Sequence, residues 1–213
     1  MQTHELIEAL AADTGKTPEG VLERRLGLTA LAGAAAALFL VLAWLGLRPD
    51  LGVAVQGGFF WIKALYTAAL GLAGLWATAR LARPDLSPRS AARIGFAVAT
   101  VFAIAGLVQF MPMDGHARLA ALRGVSWQVC SRNIVILAAP MLAMALLVLR
   151  WMAPTRPMTA GFAAGAFAGG IAATVYGLHC PEATFVFVGL WYTLGVVASG
   201  IIGALAARFM LRW

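Results

Sequence analysis

Acidic side chains are scarce in this chain of 213 residues: 9 Asp and Glu stand against 16 Lys and Arg. Charged residues make up 12% and hydrophobic residues 62%, so the charged share is about half that of a soluble domain. A soluble 22.3 kDa domain could not cover its outside with so few polar groups, and the mean hydropathy of +0.85 agrees. A soluble globular enzyme and a disordered chain are thereby excluded. Cysteine is equally sparse, at 2 residues. That is too few for a disulfide framework or an all-cysteine zinc site, though enough for one bridge or two soft ligands. Catalytic signatures are also missing, with no His-Glu-x-x-His, no Cys-x-x-Cys and no Gly-rich phosphate loop after a strand. The chain reads as a non-enzyme.

What is present is apolar length. Six runs cover 26–47, 59–79, 94–111, 134–149, 160–178 and 185–207, each 16 to 23 residues long, against the roughly 20 that cross a bilayer as helix. Lipid leaves a backbone no other way to satisfy its polar groups here, so each run must be helical. The expected fold is therefore all-α: a polytopic membrane bundle of six transmembrane helices over 26–213, preceded by a short helical tail over 1–25. With the N-terminus in the cytoplasm, the inner segments hold Lys16, Arg24, Arg25, Arg80, Arg83, Arg89, Arg93, Arg150, Arg156, Arg208 and Arg212. That is 11 of the 16 basic residues. Such a bias predicts both termini inside. The first run is too long, and too far from the start, for a cleavable signal.

None of the six runs contains Asp, Glu or His, which transport pathways usually require. A metal or small-solute permease is therefore poorly supported. Lys63 and Gln109 are the strongly polar exceptions, and Lys63 is expected to snorkel to the outer interface. Gly161, Gly165 and Gly169, then Gly195, Ser199 and Gly203, recur at spacing four. Small residues so placed let the fifth and sixth helices approach as a tight hairpin. Pro140 is positioned to kink the fourth.

The topology puts both cysteines on the outer side, Cys130 just before the fourth run and Cys180 in the turn after the fifth. Cys180 belongs to His179-Cys180-Pro181-Glu182, where imidazole, thiolate and carboxylate stand together. Thiolates favour soft or borderline metals, and imidazole suits Cu and Zn. Cys130, Cys180, His179 and Glu182 are the candidate metal or redox site, with His116 a weaker addition. No cofactor is obligatory; the ligand would be a transient ion of Cu or Zn type. The alternative chemistry is a reversible disulfide, which needs Cα atoms about 4.4–6.8 Å apart. A membrane thiol oxidoreductase would need a redox pair to pass electrons onward, and two cysteines 50 positions apart do not make that case.

The tail carries Glu5, Glu8, Asp13 and Glu19 against Lys16 within its first 19 residues. Leu6, Ile7 and Leu10 form an apolar stripe at helical spacing. A net acidic helix is not drawn to an anionic inner leaflet. It suits a basic protein partner, with Leu6, Ile7 and Leu10 in a groove and Glu5 and Glu8 beside it.

Several motifs together resemble NrsF-type proteins, six-span membrane anti-sigma factors of proteobacteria. They are Trp127-x-x-Cys130, Leu149-Arg150-x-x-Ala153-Pro154-x-x-Pro157, Tyr176-x-Leu178-His179-Cys180-Pro181-Glu182, Trp191-Tyr192-x-Leu194-Gly195 and Leu211-Arg212-Trp213. The start Glu5-Leu6-Ile7-Glu8-Ala9-Leu10 is similar too. The resemblance implies a protein of the bacterial inner membrane that holds an extracytoplasmic-function sigma factor and does not itself touch nucleic acid. It implies release under heavy-metal or related stress, with Cys130 and Cys180 as the responding positions.

Overall fold

The computed structural model describes residues 3–5, 7–8, 20–83 and 86–211. Among these there is no strand, and six helical segments are long and apolar enough to cross a membrane. Helix α1, Val21–Leu40, runs on through a π-helical turn, Val41–Leu45, and stops at Gly46. A single turn, α2 (Leu51–Ala54), leads into α3 (Gly58–Leu81) and α4 (Arg89–Phe110). Next comes the short α5, Gly115–Arg123, capped by the Asp114 carboxylate, which accepts the Ala117 N–H at 2.8 Å. Helix α6, Trp127–Met152, carries Pro140 without interruption. Helix α7, Pro157–Tyr176, starts on a proline, whose missing N–H costs nothing at that position. Finally α8 (Phe185–Phe187) passes through a π-helical stretch, Val188–Tyr192, into α9 (Thr193–Met210).

The helices overrun the apolar runs. Helix α1 begins at Val21 and takes in Glu23, Arg24 and Arg25; α6 begins at Trp127, not at Ile134. Hydropathy marks the bilayer core, whereas a helix continues into the interface as long as its polar side chains reach water or a partner. One consequence is that Cys130 lies in the first turns of α6, not in a loop before it.

Helix α7 is the hub, with 12 of its 20 residues buried against neighbours. Its glycine stripe meets that of α9, as the spacing predicts. A Cβ on Gly165 would come 2.7 Å from the Gly200 Cα, and one on Gly169 would come 3.0 Å from the Val196 Cα. The opposite face of α7 meets α3 as closely. A Cβ on Gly74 would lie 2.5 Å from the Phe167 nitrogen, and the Thr67 and Thr174 hydroxyls bond at 2.9 Å. With lipid as apolar as any side chain, such close backbone packing is what holds helices together. Helix α4 is the most peripheral, fixed by Phe102 stacking on Tyr66 at 3.8 Å.

Six spans leave two ends. At one, which we call the terminal end, lie the start of α1, the junctions after α3 and α6, and the end of α9. Arg83 pairs there with Glu23, and Arg25 lies over Trp151 at 5.9 Å. At the other end the segments 46–57, 111–126 and 177–184 converge.

Gly165→Val should cost about 1–3 kcal/mol through overpacking, read as a lower unfolding midpoint in detergent. Gly27→Ala, inside α1 where a Cβ meets nothing within 4 Å, should leave the midpoint unchanged or raise it slightly, since alanine is the better helix former.

Candidate functional site

The turn after α7 gathers the site. Helix α7 stops at Tyr176, and the chain closes through His179 N–H and Cys180 N–H, each donated to the Tyr176 carbonyl at 3.0 Å. Pro181 cannot donate, so the chain leaves the turn extended and re-enters helix at Phe185. Gln109 from α4 assists that re-entry, its side-chain oxygen accepting the Phe185 N–H at 2.9 Å.

Both cysteines are fully buried here, at 0% exposure, and neither is in a disulfide. Cys130 arrives from α6 and Cys180 from the turn, which makes the two thiols neighbours in the core. The neighbouring Cys130 thiol is the main cause holding the Cys180 thiol below its ordinary pKa range. It acts against burial, with help from the Glu182 backbone N–H and the positive charge of Lys63. Ser126 Oγ lies 3.6 Å from Cys180 Sγ. Around the sulfurs stand Tyr176 and Tyr192, their rings 5.8 Å apart. Both tyrosine hydroxyls and the Asn133 Oδ1 are buried with no hydrogen-bond partner among the described residues. Each such group costs about 1–3 kcal/mol, so this is the least well satisfied part of the core.

The other two members of the sequence-derived set are nearby but turned to different work. His179 Nδ1 donates to the Gly46 carbonyl at 2.9 Å. Glu182 accepts the Val125 N–H at 2.6 Å, the Ser126 N–H at 3.2 Å and the Ser126 hydroxyl at 3.3 Å, at the entry to α6. An anion suits a helix N-terminus. Among the described residues no group of three or more His, Cys, Asp and Glu is placed to hold a metal ion. His116 lies exposed on α5.

Lys63 does not snorkel. It is 2% exposed, and its ammonium donates to the Cys180 carbonyl at 3.0 Å and to the Glu182 carbonyl at 3.1 Å. Two carbonyls of the turn hold it inward, where water would have held it outward. Arg48 supports the same turn. Its N–H donates to the Leu178 carbonyl at 3.1 Å and its guanidinium to the Cys180 carbonyl at 3.4 Å. The remaining guanidinium nitrogens form a two-point pair with Asp50 at 2.7 Å each. This pairing raises the Arg48 pKa and lowers that of Asp50.

Of the tail residues, 3–5 and 7–8 are helical and exposed, with His4 and Glu8 at 3.5 Å. Glu5, Ile7 and Glu8 thus stand on an exposed helical segment. Leu6 and Leu10 lie outside the described residues.

The family model described as "Negative regulator of sigma F" matches residues 10–213. The chain belongs to the NrsF family. It is 54% identical to the anti-sigma-F factor NrsF of Caulobacter vibrioides (strain NA1000 / CB15N), over the full length of both proteins. It is 39% identical to the probable anti-sigma-F factor NrsF of Azospira oryzae (strain ATCC BAA-33 / DSM 13638 / PS), again over the full length of both. No solved structure matches. The NrsF family is thus a family of regulators, and its six apolar helices make this member a membrane protein.

Lys63, Arg48 and Ser126 at the site were not foreseen. An ionisable residue inside an apolar run is the signal that could have found Lys63, because such residues are functional candidates by default. Lys63→Met leaves the Glu182 carbonyl without its donor and the Cys180 carbonyl with only the longer Arg48 bond. It should lower stability by about 1–3 kcal/mol, measured as the unfolding midpoint of the purified protein in detergent.

Proposed function

We propose that this protein is a membrane anti-sigma factor of the bacterial inner membrane, with both termini in the cytoplasm. It holds an extracytoplasmic-function sigma factor through its N-terminal tail and releases it when the Cys130–Cys180 pair reacts. The observation that carries the reading is the meeting of the two thiols, brought from α6 and from the turn after α7, at the bundle end opposite the start of α1. The excess of basic residues at the terminal end supports the orientation, and it would place the thiols at the periplasmic side, an oxidising compartment.

The donor set narrows the signal. His179 and Glu182 are committed to the Gly46 carbonyl and to the α6 entry. Two sulfurs are then left, which suit a soft ion of low coordination number or a disulfide. Zinc would ask for about four ligands. Oxidation would join Sγ to Sγ, the pair giving up two protons and two electrons to the oxidant. A coupling of about 1–3 kcal/mol between the thiols and the tail would change sigma affinity roughly 5–150-fold, enough for a switch.

Two variants test this. A Cys130→Ser, Cys180→Ser protein should keep its fold and its hold on the sigma factor, yet fail to release it on exposure to soft metals or oxidant. Normal release by that protein would overturn the sensor assignment. Deletion of residues 1–15 should abolish co-purification of the sigma factor from membranes; unchanged co-purification would remove the tail from the mechanism.

A further inference from the structure

We infer that the Glu182 carboxylate is a latch that holds the segment Gly115–Ser126 closed over the two thiols, so that its release admits the thiol-reactive agent. This rests on the reading that the thiols sense.

The argument begins with access. Both thiols are 0% exposed, so nothing in solution reacts with them until some covering part moves. The parts around them differ in how they are held. Helices α3, α7 and α9 are locked by glycine contacts and by Lys63 across the turn. The 46–50 segment is fastened through His179 and Arg48. The Gly115–Ser126 segment is different. Helix α5 buries only Ala121, while His116, Leu119 and Val125 are exposed. Its firm ties are polar: the Leu122 carbonyl to the Trp191 indole at 2.8 Å, and the Val125 and Ser126 N–H groups to Glu182. Few buried apolar contacts and exposed backbone are the marks of a unit that opens locally at low cost.

The position of the latch is equally direct. Ser126, which Glu182 holds through both N–H and hydroxyl, is the residue whose oxygen lies over Cys180. Gly124 has φ +51°, and a Cβ there would sit 2.5 Å from either carboxylate oxygen. Glycine is thus what allows the backbone to approach the carboxylate. Hydrogen bonds to an ionised acceptor are about twice as strong as neutral ones, so the carboxylate carries much of the closing force.

The test is the rate at which a membrane-impermeant maleimide modifies the full-length protein in lipid nanodiscs, counted by intact mass without any sigma factor. Modification through local opening scales with the open population. Glu182→Ala should label about ten-fold faster than wild type or more, with Glu182→Gln in between. Gly124→Ala, which crowds the carboxylate without removing it, should label faster as well. Should Glu182→Ala prove too unstable to purify, Glu182→Gln and Gly124→Ala decide by the same criterion. Wild-type rates in the folded variants would overturn the latch. So would wild-type thiols that label as fast as an exposed reference cysteine. Failure of the sensor reading looks different, since maleimide-modified protein would still hold the sigma factor.

Discussion

A turn of peptide between two membrane helices must satisfy its carbonyls without the help that water gives a surface loop. Here that need is met by two cations. Lys63 reaches from α3 to the carbonyls of Cys180 and Glu182, and the Arg48 guanidinium reaches the Cys180 carbonyl from the segment after α1, while the Arg48 backbone N–H meets the Leu178 carbonyl. Everything else at this end follows from that fastening. It fixes the Cys180 sulfur against α6, where Cys130 meets it, and it aims Glu182 at the entry to the same helix. A buried ammonium is costly unless it is well bonded. Lys63 is therefore a constraint on the turn as much as the turn is on Lys63.

The second constraint is the closeness of α7 to its neighbours on two sides. Glycines at 161, 165 and 169 face α9, while Gly170 faces Gly71 of α3. A helix gripped from both sides by backbone contact cannot tilt freely or turn about its axis without clashes. The turn that ends α7 thus sits on a rigid post. The arm of α5 has no such support, and the contrast between post and arm explains why one side of the thiol site is fixed and the other depends on a few hydrogen bonds.

The six spans, their helical state and the α7–α9 hairpin were all legible, because lipid allows few solutions and hydropathy reports them directly. The convergence of Cys130 and Cys180 at one end was legible too, since counting spans suffices. What could not be read was the direction of side chains inside the site. His179 and Glu182 looked like ligands because their types suit metals, yet a turn in apolar surroundings uses its polar side chains first to satisfy backbone groups. Lys63 was misread for the related reason that its partners, two carbonyls more than 100 positions away, leave no trace in local sequence. The closeness of α3 to α7 was also missed; Gly71 and Gly74 lie at spacing three, which does not stand out against the glycine content of the chain.

Helix α6 links the two ends of the molecule. Cys130 lies in its first turns and Trp151 at its close, a span of roughly 32 Å at 1.5 Å per residue. Its last turns pack beside α1, where Leu22 and Leu26 join Leu149 in the core and Arg25 covers Trp151. The root of the tail is therefore in contact with the same rigid element that bears one of the two sulfurs. The other sulfur belongs to the fixed post. A bond or a bridging ion between them would draw the start of α6 toward a part that cannot yield, so α6 must take up the displacement. Its far end has α1 as a neighbour, and Pro140 in mid-helix has already given up one backbone bond. In the proposed switch the helix that moves is thus α6. The absence of acids and histidines from α6 suits that role, for a lever needs packing along its length and no polar path through the bundle.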